Sequence, residues 1–189
     1  MVILTEEPQR AVLDAADALF YERGIAAVGM ADVRDAAHVS LRRLYGLYDS
    51  KRALVAAWLD DRHERWMNWF AVATERHVAS GTDPVLAAFD ALGEWVSAAG
   101  YNGCAFIRAV AETTEIDDAH RSIVADHKHS IITYVGLLAS SSLADVPAWL
   151  PEALAVLIDG AIVQSAIFGT ATPVAAARRA AAQIMEAIR

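Results

Sequence analysis

Apolar residues recur three and four positions apart along most of the chain, the spacing that places them on one face of an α-helix. The first such segment runs from about Pro8 to Arg23, with apolar side chains that include Val12, Ala16 and Phe20. Gly24 ends it, because glycine is common directly after the last turn of a helix. No segment shows the strict apolar–polar alternation of a strand. The pattern therefore predicts an all-α protein.

Two short helices follow the first one. The earlier runs from about Ala31 to Ala37 and the later from Leu41 to Tyr48, with a tight turn at His38-Val39 between them. Ser40 is well placed as the N-cap of the later helix, since a serine oxygen accepts from the free N–H groups of a first turn. Ser50 can cap a long fourth helix in the same way.

Breaks that contain glycine or proline divide the remaining sequence into longer helices. These are expected at about 51–79, 84–99, 104–115, 117–141, 151–168 and 173–189, which gives about nine helices in total. The longest apolar stretch, at 153–168, is interrupted by Asp159 and Gln164. It is therefore a poor candidate for a membrane span, and no membrane partner is expected.

The composition, 56% hydrophobic with 21% charged residues, is typical of a soluble globular protein. The first ten residues lack a basic start and a long apolar run, so no secretory signal is expected and a cytoplasmic location is predicted. Cys104 is the only cysteine, which excludes an internal disulfide and a zinc site built from thiolates. It fits a small buried hydrophobe better than a redox sensor. Among His120, His127 and His129 the i, i+4 pairing of helical metal sites is missing, so neither a metal nor a cofactor is predicted.

Charge is distributed unevenly along an acidic chain whose formal net charge is -8. Between Arg34 and Arg52, five lysines and arginines stand against two aspartates, a net charge of +3. A basic segment on an acidic body would be the place that attracts a polyanion. A solvated basic face of a helical bundle would show the same pattern, so charge alone leaves both interpretations open.

The helix at 41–48 separates packing residues from cations. On a helix that advances about 100° per residue, Leu44 and Tyr48 fall on one side. The opposite side and its flanks carry polar or small residues: Arg42, Gly46, Arg43 and Tyr45. An arginine here could donate two hydrogen bonds to a guanine edge, and a phenol could donate to a phosphate. Two short helices joined by a tight turn after a support helix predict a helix-turn-helix that reads DNA.

Residues 8 to 60 resemble the DNA-binding domain of the TetR family of transcriptional regulators. A spaced set of residues carries the resemblance: Ala15, Phe20, Gly24, Val33, Ala36, Ala37, Val39, Ser40, Leu44, Tyr45, Tyr48, Ser50, Lys51 and Leu54. The resemblance implies a three-helix helix-turn-helix domain at 1–50 and a helical regulatory and dimerisation domain at 51–189, connected by the helix at 51–79. The implied DNA contacts are Ser40, Leu41, Arg42, Arg43, Tyr45, Gly46 and Lys51.

Three residues depart from the family pattern. His38 stands where the family usually has glycine, so either His38 adopts a positive φ or the turn follows a different path. Met30 follows Gly29 where the family often has threonine or serine, which predicts a weakly capped second helix. Tyr48 replaces the usual phenylalanine, and its hydroxyl needs a partner.

The resemblance also implies a homodimer that represses transcription at a near-palindromic operator in double-stranded DNA, under control of an unidentified small-molecule effector. The last two helices would form the dimer interface, with Leu157, Ala161, Ser165, Ile184 and Ile188 as candidate contacts. Helices four to eight would surround the effector. Candidate effector contacts are aromatic or polar: Trp66, Trp69, Phe70, Trp95, Tyr101, Asn102, Phe106, Arg108, Glu112, His127, Tyr134 and Gln164. The alternative is a helical enzyme or small-molecule carrier, although the sequence contains no recognisable catalytic motif.

Overall fold

The computed structural model describes residues 3–112 and 118–189. Within these residues the chain forms nine helices and no strand, which confirms the all-α prediction. The helices are α1 (Ile3–Arg23), α2 (Met30–Ala36), α3 (Leu41–Leu47), α4 (Lys51–Ala79), α5 (Pro84–Ser97), α6 (Ala105–Glu112), α7 (Asp118–Ser142), α8 (Leu150–Phe168) and α9 (Thr172–Ile188).

Most described helix boundaries lie within two residues of the sequence prediction, and the start of α1 differs more. The predicted start of α1 at Pro8 is five residues late, because α1 begins at Ile3 and contains Pro8. Proline lacks only its own N–H, so this close to the helix start it removes a single backbone hydrogen bond. The predicted sixth helix extends to residue 115, and its last three residues lie outside the described part of the chain.

Side-chain caps begin several of the helices. Ser40 Oγ accepts from the backbone N of Arg43, and Ser50 Oγ accepts from the backbone N of Ala53, both at 3.1 Å. Both predicted serine caps are therefore confirmed. At α2 the cap residue is Gly29, which has no side chain to contribute. The carboxylate of Asp32 instead accepts from the backbone N of Gly29 at 2.7 Å, and its negative charge also suits a helix N-terminus.

The chain divides into two compact units. Unit 1 contains Met1–Glu64 and Ala105–Ala125, and unit 2 contains Arg65–Cys104 and Asp126–Arg189. Unit 1 thus holds the three N-terminal helices together with the first half of α4 and the whole of α6. Packing therefore extends beyond the boundary at residue 50, which remains a prediction about function.

A network of polar side chains joins α1 to the first half of α4 in unit 1. Asp17 accepts from Trp58 Nε1 at 2.7 Å and from Arg62 Nη1 at 2.5 Å. The guanidinium of Arg62 also lies over the ring of Tyr21, 3.9 Å from its centroid. Beneath this network the rings of Phe20 and Trp58 pack edge to face, with centroids 5.2 Å apart. These contacts explain why α4 shares a core with the N-terminal helices.

Helices α5, α8 and α9 form the core of unit 2. The largest buried side chains on α8 follow a helical stripe: Leu150, Leu154, Ile158 and Ile162. Arg178 of α9 pairs with both carboxylate oxygens of Asp90 on α5, at 2.6 Å and 3.0 Å. By length and composition alone α8 could cross a membrane, a property that it shares with core helices of soluble proteins. Its buried stripe accounts for part of that composition, since 33% of the apolar segment is buried.

The hydroxyl of Tyr48 is buried without a hydrogen bond of standard geometry in the described part of the chain, although Gln9 of α1 approaches it. Burial raises the pKa of this phenol, since ionisation would place a charge in the core. Tyr101 is half-buried, and its hydroxyl donates to the backbone oxygen of Ile162 at 2.7 Å. The two tyrosines therefore offer a matched pair.

We expect Tyr48→Phe to leave the free energy of unfolding unchanged or to raise it by up to about 1 kcal/mol, because it removes a buried hydroxyl that is poorly bonded. Tyr101→Phe should lower it by about 1 kcal/mol, because a backbone carbonyl loses its partner. Urea denaturation measures both. A clear loss of stability in Tyr48→Phe would show that the contact with Gln9 is a genuine hydrogen bond.

Candidate nucleic-acid interface

Helix α3 buries one side and exposes the other. Leu44 is fully buried and Tyr48, directly after the helix, is 6% exposed. These are the two side chains that helical spacing assigned to packing, and the structure confirms both. The remaining side is open to solvent and carries Leu41, Arg42, Arg43, Tyr45 and Gly46. We call α3 the reading helix.

The turn before the reading helix requires an unusual backbone conformation. His38 has φ = 54°, in the left-handed region, and is the only non-glycine residue there among those described. Of the two possibilities that the sequence left open, the structure confirms the positive φ. The turn is closed by hydrogen bonds from the backbone N of His38 to Asp35 O (3.3 Å) and from the backbone N of Val39 to Arg34 O (3.2 Å). Histidine tolerates this region better than most residues with a Cβ.

The predicted DNA contacts at both ends of the reading helix are also near helix N-termini. Ser40 is exposed and caps α3, while Lys51 is half-buried as the first residue of α4. A cation beside the N–H groups of a helix start suits a phosphate, since both attract the same negative charge. All seven predicted DNA contacts therefore lie on α3 or close to its two ends. Their contact with DNA stays a prediction.

One cation of the basic segment is already paired. Arg34 of α2 donates from Nε to the carboxylate of Asp35 at 2.7 Å. This local pair offsets one positive charge on α2. Arg42 and Arg43 are exposed on the reading helix. Two exposed arginines of the basic segment at 34–52 therefore lie on α3.

Several of the predicted effector contacts form one aromatic cluster in unit 2. Trp66 stacks on Phe70, with centroids 4.8 Å apart, and meets Trp95 and His127 edge to face, each at 5.5 Å. The cluster also includes Tyr134, which packs on Phe70, and Tyr101, which packs on Trp95. Phe70 is fully buried and His127 is 2% exposed, so much of this cluster is hydrophobic core. Burial also raises the pKa of Tyr134.

The indole N–H of Trp66 is the polar group in this cluster that could recognise a ligand. It is buried and makes no hydrogen bond within the described residues. An unsatisfied buried donor costs free energy, and a ligand with an acceptor oxygen or nitrogen would remove that cost. Trp69, by comparison, is half-buried on α4, Asn102 is exposed, and Gln164 lines a groove between α8 and α9.

Two of the predicted effector contacts, Arg108 and Glu112, make hydrogen bonds within unit 1. Both lie on α6, in unit 1, and both bond to the end of α1: Arg108 to the carbonyl of Tyr21, Glu112 to the amide of Ile25. Their contact with an effector stays a prediction. Phe106 of the same helix is buried and also belongs to unit 1. Sequence spacing within α6 could not reveal these contacts, because their partners lie 87 residues away.

The predicted dimer contacts divide into buried and accessible residues. Ala161 and Ser165 are 4% and 1% exposed within the single chain, so their side chains mostly pack inside unit 2, and their role at a dimer interface stays a prediction. Leu157, Ile184 and Ile188 remain half-exposed. The exposed side of α8 carries apolar residues that the prediction missed: Val156, Val163, Ile167 and Phe168. Helical spacing was the signal that could have identified these residues. Because α8 carries apolar residues on all sides, its sequence did not show which face packs inside unit 2.

The other candidate chemistry of the sequence has structural partners instead. Cys104 is buried, and Lys128 Nζ lies 3.9 Å from its sulfur and 2.5 Å from Asp159. His120 Nε2 lies 3.0 Å from the backbone oxygen of Arg52 in unit 1. Across the described ranges, no group of three or more histidine, cysteine or acidic side chains is arranged to hold a metal ion.

Comparison with known proteins adds to this geometry. Residues 12–58 match the family model for bacterial regulatory proteins of the tetR family. The HTH-type transcriptional regulator TtgR of Pseudomonas putida is 36% identical over 59 residues. That match covers 31% of this chain and 28% of the length of TtgR, so the curated relative is matched over less than a third of its length.

Solved structures extend the likeness to the whole fold. A TetR-family transcriptional regulator from Streptomyces coelicolor superposes with a TM-score of 0.82 at 22% identity, over 100% of this chain and 96% of that one. Residues 12–58 belong to the DNA-binding region of the TetR family, and the whole chain shares its fold with this regulator. The reduced form of Escherichia coli NemR shares the TetR-family fold with this chain, with a TM-score of 0.79 at 19% identity over 91% of this chain and 94% of that one. All seven predicted DNA contacts lie inside the segment that the TetR family model matches.

The backbone at His38 yields a stability prediction for this chain. His38→Gly should raise the free energy of unfolding by about 0.5 kcal/mol, and His38→Val should lower it by about 1 to 2 kcal/mol, because a branched Cβ is strained at positive φ. Ala37→Gly is the control: at φ = -80° a glycine only adds disorder to the unfolded chain and should destabilise. Thermal denaturation ranks the variants. A valine at 38 that is as stable as histidine would contradict the positive φ.

Proposed function

We propose that this chain is a sequence-specific double-stranded DNA-binding transcriptional regulator, a repressor whose affinity for its operator responds to a small molecule. The observation that supports this proposal best is that α3 has one buried side and one exposed side. Leu44 and Tyr48 fix the helix to the core of unit 1. The side that faces solvent carries Arg42, Arg43, Tyr45 and Gly46. A short helix anchored on one side and cationic on the other suits insertion into the major groove.

Each exposed residue of the reading helix has a distinct role in the proposal. Arg42, opposite Leu44, donates to a base edge, and Arg43 on the flank contacts a base or a phosphate. Tyr45, which is 48% exposed, and Lys51 contact phosphates and set the register on the duplex. Gly46 presents bare backbone, and nothing lies within 4 Å of the place where a Cβ would be. This space lets a DNA strand come close to the helix.

A homodimer is part of the same proposal. A near-palindromic operator needs two reading helices related by two-fold symmetry. The exposed apolar face of α8 supports this assembly, since Val156 and Ile167 are 70% and 69% exposed in the single chain. Between α8 and α9 lies a groove of about 300 Å³, lined largely by small residues that would allow helices to approach closely. Symmetry would place α8 of one protomer against α8 of its partner.

The effector belongs to unit 2 in this proposal. The aromatic cluster offers apolar ring faces, and the indole N–H of Trp66 offers a donor without a partner. Effector binding would shift the population away from the arrangement that binds DNA, to the extent that the effector prefers the other arrangement. A regulator of this kind acts where the chromosome is, so the proposal includes a cytoplasmic location and requires no cofactor.

Selection of bound duplexes from a random pool tests DNA reading. We expect the selected duplexes to share a palindromic motif. Arg42→Ala should weaken binding to this motif by about tenfold or more, and it should relax the base preference at one position in each half-site. Lys51→Ala should weaken binding to all duplexes alike and lower the salt dependence by about one released ion. Arg179→Ala, which removes an exposed arginine of α9, is the matched control. No enrichment from the pool would refute the proposed function.

Charge introduction on α8 tests the dimer. Val163→Glu with Ile167→Glu places two carboxylates on the proposed interface, so we expect monomers in sedimentation velocity at micromolar concentration. The monomer should also bind the selected duplex weakly. Val72→Glu is the control, since Val72 is 58% exposed on α4. If the double variant remained a dimer, the interface would lie elsewhere.

A further inference from the structure

Two side chains of α6 bond to the C-terminal end of α1 inside unit 1. Arg108 Nη1 donates to the backbone oxygen of Tyr21 at 2.8 Å, and Glu112 Oε2 accepts from the backbone N of Ile25 at 3.3 Å. Arg108 Nε also donates to Glu112 Oε1 at 2.9 Å, so the two side chains hold each other in position. We call this pair the Arg108–Glu112 latch.

The latch satisfies backbone groups on both sides of the end of α1. Tyr21 supplies one of the last carbonyl groups of the helix, which lack partners within it, and a cation is favourable there because of the helix dipole. Ile25 lies beyond Gly24, so its N–H is outside the helical pattern. The side chains of Arg108 and Glu112 are 26% and 29% exposed, which makes their contacts less screened than those of a fully exposed pair.

Gly24 shows how closely α6 approaches this turn. Its φ of 88° already favours glycine, and a Cβ added there would lie 2.6 Å from Glu112 Oε2. That distance is far too short for an unstrained contact. Any larger residue at this position would therefore have to displace the latch as well as adopt a strained backbone.

The turn that the latch holds leads into α2, and the His38–Val39 turn then connects α2 to the reading helix. Ile25 and Val28 in the turn are 3% and 1% exposed, and α2 begins two residues after Val28. Because α2 is short and its Val33 packs in the core, a shift of the turn would carry α2 with it. The chain enters α6 directly from Cys104, the last residue of the first segment of unit 2. Along the chain, Arg108 and Glu112 thus follow the first segment of unit 2, and they bond to α1 and to the turn after it in unit 1.

We infer that the Arg108–Glu112 latch positions the turn between α1 and α2, and that through this turn α6 sets the DNA affinity of the reading helix. The inference rests on the proposed DNA-binding function. Arg108 and Glu112 are positioning residues in it, since they act through the turn and make no contact with DNA. A latched turn keeps α2 and α3 in one arrangement before DNA arrives, which lowers the entropic cost of binding.

Glu112→Gln tests the latch with little change of shape. We expect faster amide hydrogen exchange at Ile25, by about tenfold. We also expect the affinity for the selected duplex to fall by about threefold to tenfold, because the turn is no longer held. Asp14→Asn is the matched control, since Arg10–Asp14 is also an i, i+4 ion pair in unit 1 but Asp14 is 62% exposed. It should change neither the exchange at Ile25 nor the affinity.

A double variant separates the latch from backbone strain. Gly24→Ala should weaken DNA binding for two reasons, because alanine is strained at this φ and because its Cβ would collide with Glu112. Combining Gly24→Ala with Glu112→Ala should remove the collision and leave the backbone strain. The combined loss of affinity should therefore be smaller than the product of the two single losses. Gly81→Ala has a similar φ of 93° with open space around it, and should leave DNA binding unchanged.

The outcomes are distinguishable from failure of the proposed function. If the natural protein selected no duplex, DNA reading would be refuted, and exchange at Ile25 would still decide whether the latch holds the turn. If Glu112→Gln matched Asp14→Asn in both exchange and affinity, the latch would be overturned. A rise in affinity would overturn it too, because the latch would then hold an arrangement that opposes DNA binding.

Discussion

The burial of one side of α3 is the constraint on which the rest of the structure depends. A helix of seven residues has almost no stability of its own in water, because the cost of forming its first turn is recovered over too few hydrogen bonds. Leu44, fully buried, and the cap from Ser40 to Arg43 supply what the isolated segment lacks. The exposed arginines can therefore be specialised for a partner, since their side chains are not needed to hold the helix.

The distribution of charge follows the same separation between residues that hold the fold together and residues that are exposed for a partner. Most ion pairs among the described residues lie between helices or along one helix, as in Arg178 with Asp90 and Arg62 with Asp17. Those acidic groups are placed where they fix neighbouring helices. The excess of acid over base elsewhere repels a polyanion, so the basic segment around α3 is favoured both by its own charge and by the charge of the remaining chain.

Local signals in the sequence predicted the DNA-reading part well. Serine before an apolar run identified both caps, helical spacing identified Leu44 and Tyr48 as buried, and the departure at His38 pointed to the one unusual backbone angle among the described non-glycine residues. These features depend on residues a few positions apart. The role of Glu112 depends on a turn 87 residues earlier, and nothing in the neighbourhood of Glu112 encodes it. On α8 the difficulty was different: Ala161 and Val156 are equally plausible interface residues when every face of a helix is apolar.

The path of the chain limits how an effector could influence DNA reading. Continuous backbone links the two units at three places: Glu64 to Arg65 within α4, Cys104 to Ala105 at the start of α6, and Ala125 to Asp126 within α7. Two of these lie inside helices, α4 and α7. The third follows Gly103, whose φ of 78° marks a turn rather than a helix. The α6 segment is thus joined to unit 2 by a turn at one end, and its side chains hold the end of α1. Through Arg108 and Glu112, α6 bonds to the end of α1 and to the turn between α1 and α2.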